Sequence, residues 1–161
     1  MRRTTLSEHN GCVVCQHTEV PVIFPDGTRV LASGWLQRSA EDTHPDYGLY
    51  LDPSWTPTWP HVLLDWPDLG VPTDDFLASS EIAQAFARAK RGETVEVACV
   101  GGHGRTGTVL ACMAILAGVP PDDAVAWVRA AYCSRAVQEP RQEYWVQHRF
   151  EAEAASAPEA E

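Results

Sequence analysis

The sequence predicts an α/β fold: a central, mostly parallel sheet flanked by helices, with a β-hairpin at the N-terminal side. Three observations carry this. Short β-prone runs alternate with helical segments along the chain; a strand, a glycine-rich turn and an apolar helix follow one another between residues 94 and 116; and two extended runs flank Pro25-Asp26-Gly27.

The elements follow in order. Val20-Pro21-Val22-Ile23-Phe24 and Thr28-Arg29-Val30-Leu31, joined by Pro25-Asp26-Gly27, form the hairpin signal. Residues 42 to 60 are rich in Pro, Asp, Ser and Thr and hold Tyr47, Tyr50, Trp55 and Trp59, with neither a helical nor a strand period. This stretch reads as a loop packed by its aromatics. His61-Val62-Leu63-Leu64 is a short strand that delivers the loop Asp65-Trp66-Pro67-Asp68-Leu69-Gly70-Val71-Pro72, whose prolines and glycine exclude regular structure. Ser79 or Ser80 is the expected cap of a helix that runs through Ile82, Ala83 and Phe86 and stops at Arg91-Gly92. Thr94-Val95-Glu96-Val97-Ala98 is the next strand, and residues 109 to 116 are apolar enough for a buried helix ended by Gly118-Val119-Pro120. Pro121-Asp122-Asp123 opens another helix, and a last one runs from Pro140 past Tyr144 and Trp145.

A length of 161 residues suits one domain, here residues 1–150, with the hairpin region at about 12–40 and the core at about 60–150. Residues 151–161, acidic and without large apolar side chains, are read as a disordered tail. The 22 acidic against 12 basic side chains give a net charge of −10, which repels nucleic acid and anionic lipid. No stretch approaches the roughly 20 apolar residues of a membrane span, and the basic N-terminus lacks the apolar run of a secretory signal. The expectation is a cytoplasmic protein with neither nucleic-acid nor membrane partners; the sequence does not fix an oligomeric state. Five cysteines, an odd number without framework spacing, favour reduced thiols. Cys12-Val13-Val14-Cys15 with His17 is half of a zinc knuckle lacking its second pair, so no metal or other cofactor is expected; Cys112 belongs to an apolar helix face.

Chemistry concentrates in Val97-Ala98-Cys99-Val100-Gly101-Gly102-His103-Gly104-Arg105-Thr106-Gly107-Thr108. A cysteine ending a strand precedes, by six positions, an arginine at a helix start. A loop of that length can curl until successive backbone N–H groups converge on one anion, and its glycines allow the dihedrals the curl needs. The helix dipole points at the same spot and favours thiolate over thiol, while Arg105 can hold two phosphate oxygens bidentately. Val100, Gly101, Gly102, His103, Gly104 and Arg105 are the candidate phosphate-binding residues, and phosphoryl transfer needs chiefly such positioning and charge neutralisation.

This segment resembles the signature loop of the protein-tyrosine and dual-specificity phosphatases: cysteine, five residues, arginine, then serine or threonine. Asp65-Trp66-Pro67-Asp68-Leu69-Gly70-Val71-Pro72 is similar to the same family's mobile Trp-Pro-Asp loop, and Val137-Gln138-Glu139-Pro140-Arg141-Gln142 is similar to the segment that supplies a water-orienting glutamine. The resemblance spans roughly residues 60 to 150. It implies a cysteine-dependent phosphatase that needs no metal, with Cys99 as nucleophile through a phosphocysteine, Arg105 as phosphate clamp, Asp68 as general acid, Thr106 as donor to the cysteine sulfur, and Gln142, or Gln138 in competition with it, orienting water. One departure is Ala98, where the family usually places histidine, which keeps a phosphate-binding pseudophosphatase as the alternative. A rhodanese-like sulfur transferase also curls a loop around cysteine but has no place for the Trp-Pro-Asp segment. The lysine-free signature loop suits a single phosphomonoester, on a phosphorylated protein or a small molecule. Phosphotyrosine is the expected substrate, with Tyr47 or Tyr50 as an aromatic wall; a shallower pocket would also admit phosphoserine and phosphothreonine.

Overall fold

A computed structural model describes residues 21–34, 44–54 and 57–152. The strands are β1 (Val22–Ile23), β2 (Arg29–Gly34), β3 (Tyr47–Tyr50), β4 (His61–Leu63) and β5 (Val95–Cys99). They form one sheet in the order β1-β2-β5-β3-β4. The hairpin forms as its sequence dictates: Gly27, at φ +86°, takes the left-handed turn position, and Phe24 and Thr28 close it by a hydrogen bond of 2.9 Å. β1 is therefore antiparallel to β2, whereas β2, β5, β3 and β4 run parallel, with Gly34 opposite Cys99 and Tyr50 opposite Ala98.

The helices are α1 (Asp75–Lys90), α2 (Gly104–Leu116), α3 (Ala124–Ala131) and α4 (Pro140–Tyr144). A 3₁₀ turn at Pro121–Asp123 leads into α3, and a π turn at Trp145–Arg149 continues α4. Alternation along β3 and β5 sends Leu49, Val97 and Cys99 to the helix-covered face, where they join Ile82 and Phe86 of α1 and Leu110 and Met113 of α2 in one core. Burying each such side chain contributes roughly 1.5–3 kcal/mol. The opposite face carries Ser33, Tyr50 and Glu96. Glu96 is buried and satisfied, accepting from Ser33 Oγ at 3.2 Å and Tyr50 OH at 2.8 Å.

Four expectations are corrected. Residues 47 to 50 are not loop but the strand beside β5; every residue of β3 is buried, so the two-residue period that marks a half-exposed strand is missing. For the same reason Tyr47 and Tyr50 do not wall a substrate pocket. Tyr50 is enclosed, bonded to Glu96 and to Trp59 Nε1, and Tyr47 lies under the Arg88 guanidinium and opposite Val95, at the far end of β5 from Cys99. Helix α1 starts at Asp75, not near Ser79 or Ser80: Asp74 caps it by accepting the Leu77 N–H at 2.9 Å, and the exposed Phe76 and Leu77 obscure the apolar period of its first turn. Finally, Cys133 is disulfide-bonded and not a reduced thiol, while Cys99 and Cys112 are free. Cys12, Cys15, His17, Trp55 and most of the C-terminal tail also lie outside the described residues. Among the described residues no helix is long and apolar enough to cross a membrane.

Candidate active site

The fully buried strand β5 ends at Cys99, so its sulfur sits on the floor of the loop that follows. The loop is drawn tight by backbone packing. Gly102 adopts φ +79° and presses on β2, where a Cβ would meet the Gly34 nitrogen at 2.5 Å; Gly34 in turn faces the Gly101 carbonyl. Tyr132 donates to the Gly102 carbonyl at 2.6 Å. Burial, and behind it the charge on Cys99, pushes the Tyr132 phenol well up, so it remains a donor. Two donors converge on the Cys99 sulfur: the Gly102 N–H at 3.2 Å and Thr106 Oγ1 at 3.0 Å. Both favour negative charge there. No side chain caps the start of α2 and no acid lies in its first turn, which leaves that end of the helix electropositive.

Arg105, in the first turn of α2, is buried, and one end of its guanidinium is held by the protein. One nitrogen donates to the Leu51 carbonyl at 2.8 Å, to the Trp66 carbonyl at 3.0 Å and to Asp52 Oδ2 at 3.2 Å. The other lies 3.6 Å from Asp68 Oδ1. Asp52 is held below the usual carboxylate range: burial pushes it up, but the Ser54 hydroxyl and N–H and the Arg105 guanidinium outweigh that.

The loop carrying Asp68 is anchored at its base by Thr73, which bonds Asp65 through both backbone and side chain. Trp66 is buried beneath it, packed against Trp145, and its Nε1 donates to the Gly70 carbonyl at 2.8 Å. Asp68 projects outward, 77 % exposed, above the signature loop. Cys99, Arg105, Thr106 and Asp68 are thus brought together. Gln142 is placed differently. It is buried in the first turn of α4, its Oε1 accepts the Gln138 and Glu139 N–H groups, and its Nε2 donates to the Gly70 carbonyl at 3.0 Å. Both ends of its amide are occupied by the protein. Gln138 instead lies against the signature loop: a Cβ on Gly104 would meet its Oε1 at 2.6 Å.

His103 turns away from the sulfur, its Nδ1 3.5 Å from Cys133 Sγ, and burial, with the Arg135 charge behind it, lowers its pKa below the ordinary 6.5. Ala98 is buried on the other face of β5 and supplies no polar group. Sequence reasoning missed Asp52, Tyr132 and Gly34, which support the site from the segment after β3, the segment after α3 and the end of β2; only their proximity in the fold marks them. A cleft of about 600 Å³, lined by Thr28, Arg29, Leu31, Lys90, Thr94 and Val95, opens at the other end of the strands. No residue of the signature loop lines it, and the convergence of chemical groups, not cavity size, locates the site.

Residues 61–157 match the family model described as PTP-SAK: Swiss Army Knife protein, DSP-PTPase phosphatase domain. Two uncharacterized proteins of Methanocaldococcus jannaschii, MJECL20 and MJ0215, are 36% and 34% identical to the chain over 105 residues, covering 60% of this chain and 70% and 65% of theirs. The crystal structure of Tk-PTP in the active form superposes with a TM-score of 0.56 at 21% identity, over 65% of this chain and 80% of that one, a likeness of fold.

Proposed function

The chain belongs to the dual-specificity and protein-tyrosine phosphatase superfamily, through the phosphatase domain of the Swiss Army Knife family, and is a phosphoric monoester hydrolase; we propose that it acts through a phosphocysteine on Cys99, with phosphotyrosine in proteins as substrate. The observation that carries this is the single cluster in which the Cys99 sulfur accepts two hydrogen bonds at the foot of a loop closed by Arg105, whose guanidinium faces Asp68.

Phosphate enters the curl of residues 99 to 105, where loop N–H groups and Arg105 bind its oxygens. The Cys99 thiolate attacks phosphorus as the P–O bond to the leaving group breaks, and Asp68 gives that oxygen its proton. In the second step the Asp68 carboxylate takes a proton from water, the water oxygen bonds phosphorus, and the S–P bond breaks. Sulfur regains its charge facing the Thr106 hydroxyl and Gly102 N–H. Gln138, beside Gly104, suits the water-orienting role better than Gln142, whose amide is engaged. The two donors to sulfur serve where Ala98 offers none, which favours turnover over mere binding. A signature loop whose one fixed cation is Arg105 suits a single phosphoryl group, not a polyphosphate.

The test is hydrolysis of p-nitrophenyl phosphate and of a phosphotyrosine peptide, with and without a chelator, by wild type, Cys99→Ser and Asp68→Asn. The proposal expects chelator-resistant turnover, abolished in Cys99→Ser and reduced by about 10²–10⁴ in Asp68→Asn. Full activity in Cys99→Ser would refute it, and binding of the peptide without turnover would make the protein a pseudophosphatase.

A further inference from the structure

Immediately after Asp68 the backbone is strained. Leu69 has φ +58°, a left-handed conformation that a branched side chain rarely adopts, and its N–H is turned back onto Asp68 Oδ1 at 3.0 Å. That geometry aims the carboxylate toward Arg105 and turns the Leu69 carbonyl outward. The carbonyl is met there by Arg141, whose Nε donates to it at 2.9 Å. The next carbonyl, of Gly70, takes the Gln142 amide. Two consecutive carbonyls of the acid loop are thus bound by two consecutive side chains of α4, 72 residues further along the chain.

The two contacts differ in kind. Gln142 is fully buried and tied into the N-terminal cap of α4, a fixed anchor. Arg141 is exposed, so its bond can break and re-form in water without leaving a buried group unsatisfied, and its guanidinium makes a stronger donor than a neutral amide. Asp68 meets Arg105 only while the residue that follows it keeps this strained turn, and Arg141 is the side chain that holds that residue's carbonyl.

We propose that Arg141 is a positioning residue, a latch whose bond to the Leu69 carbonyl holds the acid loop closed with Asp68 over the signature loop. It does not touch the phosphate; it acts through Asp68, and so rests on the general-acid role given above. Removing the latch lowers the fraction of bound enzyme with Asp68 in place, which slows the expulsion of leaving groups that need a proton and spares those that do not.

The experiment compares Arg141→Met and Arg141→Lys with wild type on phenyl phosphate, whose phenolate needs protonation, and on 2,4-dinitrophenyl phosphate, whose leaving group departs unaided. In kcat/KM, which reads only the steps through loss of the leaving group, Arg141→Met should lose about tenfold on phenyl phosphate and change by no more than about twofold on the dinitrophenyl ester, with Arg141→Lys recovering most of the loss. An equal fall on both esters, as a purely structural defect gives, or no fall on either, overturns the proposal. Asp68→Asn run alongside must show the same leaving-group contrast; if it does not, the general-acid role itself fails. Hydrogen exchange of the amides at 66, 68, 69 and 70 reads the latch without turnover: faster exchange in Arg141→Met supports it, and unchanged exchange refutes it even if wild type hydrolyses neither ester.

Discussion

Replacing Thr106 by alanine removes one of the two donors to the Cys99 sulfur and should separate the two chemical steps. The hydroxyl lies 3.0 Å from sulfur and Thr106 is completely buried, so water does not substitute for it. While sulfur is bonded to phosphorus it carries little charge; as the S–P bond breaks it becomes a thiolate, and the hydrogen bond strengthens. A bond to a charged partner contributes about 1.5–3 kcal/mol, and about 1.4 kcal/mol is tenfold in rate, so breakdown of the phosphocysteine should slow by about 10- to 100-fold. Formation of the intermediate begins from the thiolate and loses charge at sulfur, so it does not need this donor, and kcat/KM should stay within about threefold. Stopped-flow release of p-nitrophenol reads both: Thr106→Ala should give a burst of one equivalent per site followed by a slow steady state, and Thr106→Ser should restore wild-type turnover. An unchanged steady state, or equal falls in kcat and kcat/KM without a burst, would refute the reasoning.

Asp52→Asn loosens the guanidinium that Asp52 helps aim at phosphate, and kcat/KM for an aryl phosphate should fall by about tenfold. Because its native carboxyl is depressed, the contribution of Asp52 is present above its ordinary range and is lost only as pH falls through the lower native value, so wild type should hold this advantage over Asp52→Asn at neutral pH and lose it in acid. His103 has the opposite charge logic: its native pKa lies below 6.5, so as pH falls through that value the unfolded chain takes up a proton first and stability declines, levelling off beneath the native pKa. Thermal melts of His103→Gln should therefore fall less between neutral and mildly acid pH than those of wild type; parallel curves would contradict this. Gly107→Ala, which at an exposed helical position would gain about 1 kcal/mol, should instead cost about 1–3 kcal/mol in urea unfolding, because its Cβ would meet Ala136 Cβ at 2.6 Å and the Val137 nitrogen at 2.9 Å.

The parts of the site that sequence reveals are those whose chemistry depends on local spacing. Cys99 and Arg105 are placed by one turn of chain, and Asp68 by a loop whose prolines and glycine announce it. Strand β3 was illegible because Tyr47-Gly48-Leu49-Tyr50 is short, wholly buried and set among loop-forming residues. Asp52 and Tyr132 hold the Arg105 guanidinium and the Gly102 carbonyl from distant segments, so nothing near them in sequence marks the contact. Gln142 illustrates the converse. A motif put a glutamine at the right position, but the side chain caps α4 and anchors the acid loop, leaving Gln138 beside the signature loop.

The central claim, covalent catalysis at Cys99, is tested most directly by quenching Thr106→Ala in denaturant during turnover of an aryl phosphate and mapping the phosphoryl group by mass spectrometry. The account predicts phosphate on the peptide bearing Cys99, at close to one per chain, and none in the Cys99→Ser, Thr106→Ala double variant. Turnover without any labelled peptide, or label on His103 in place of Cys99, would contradict it.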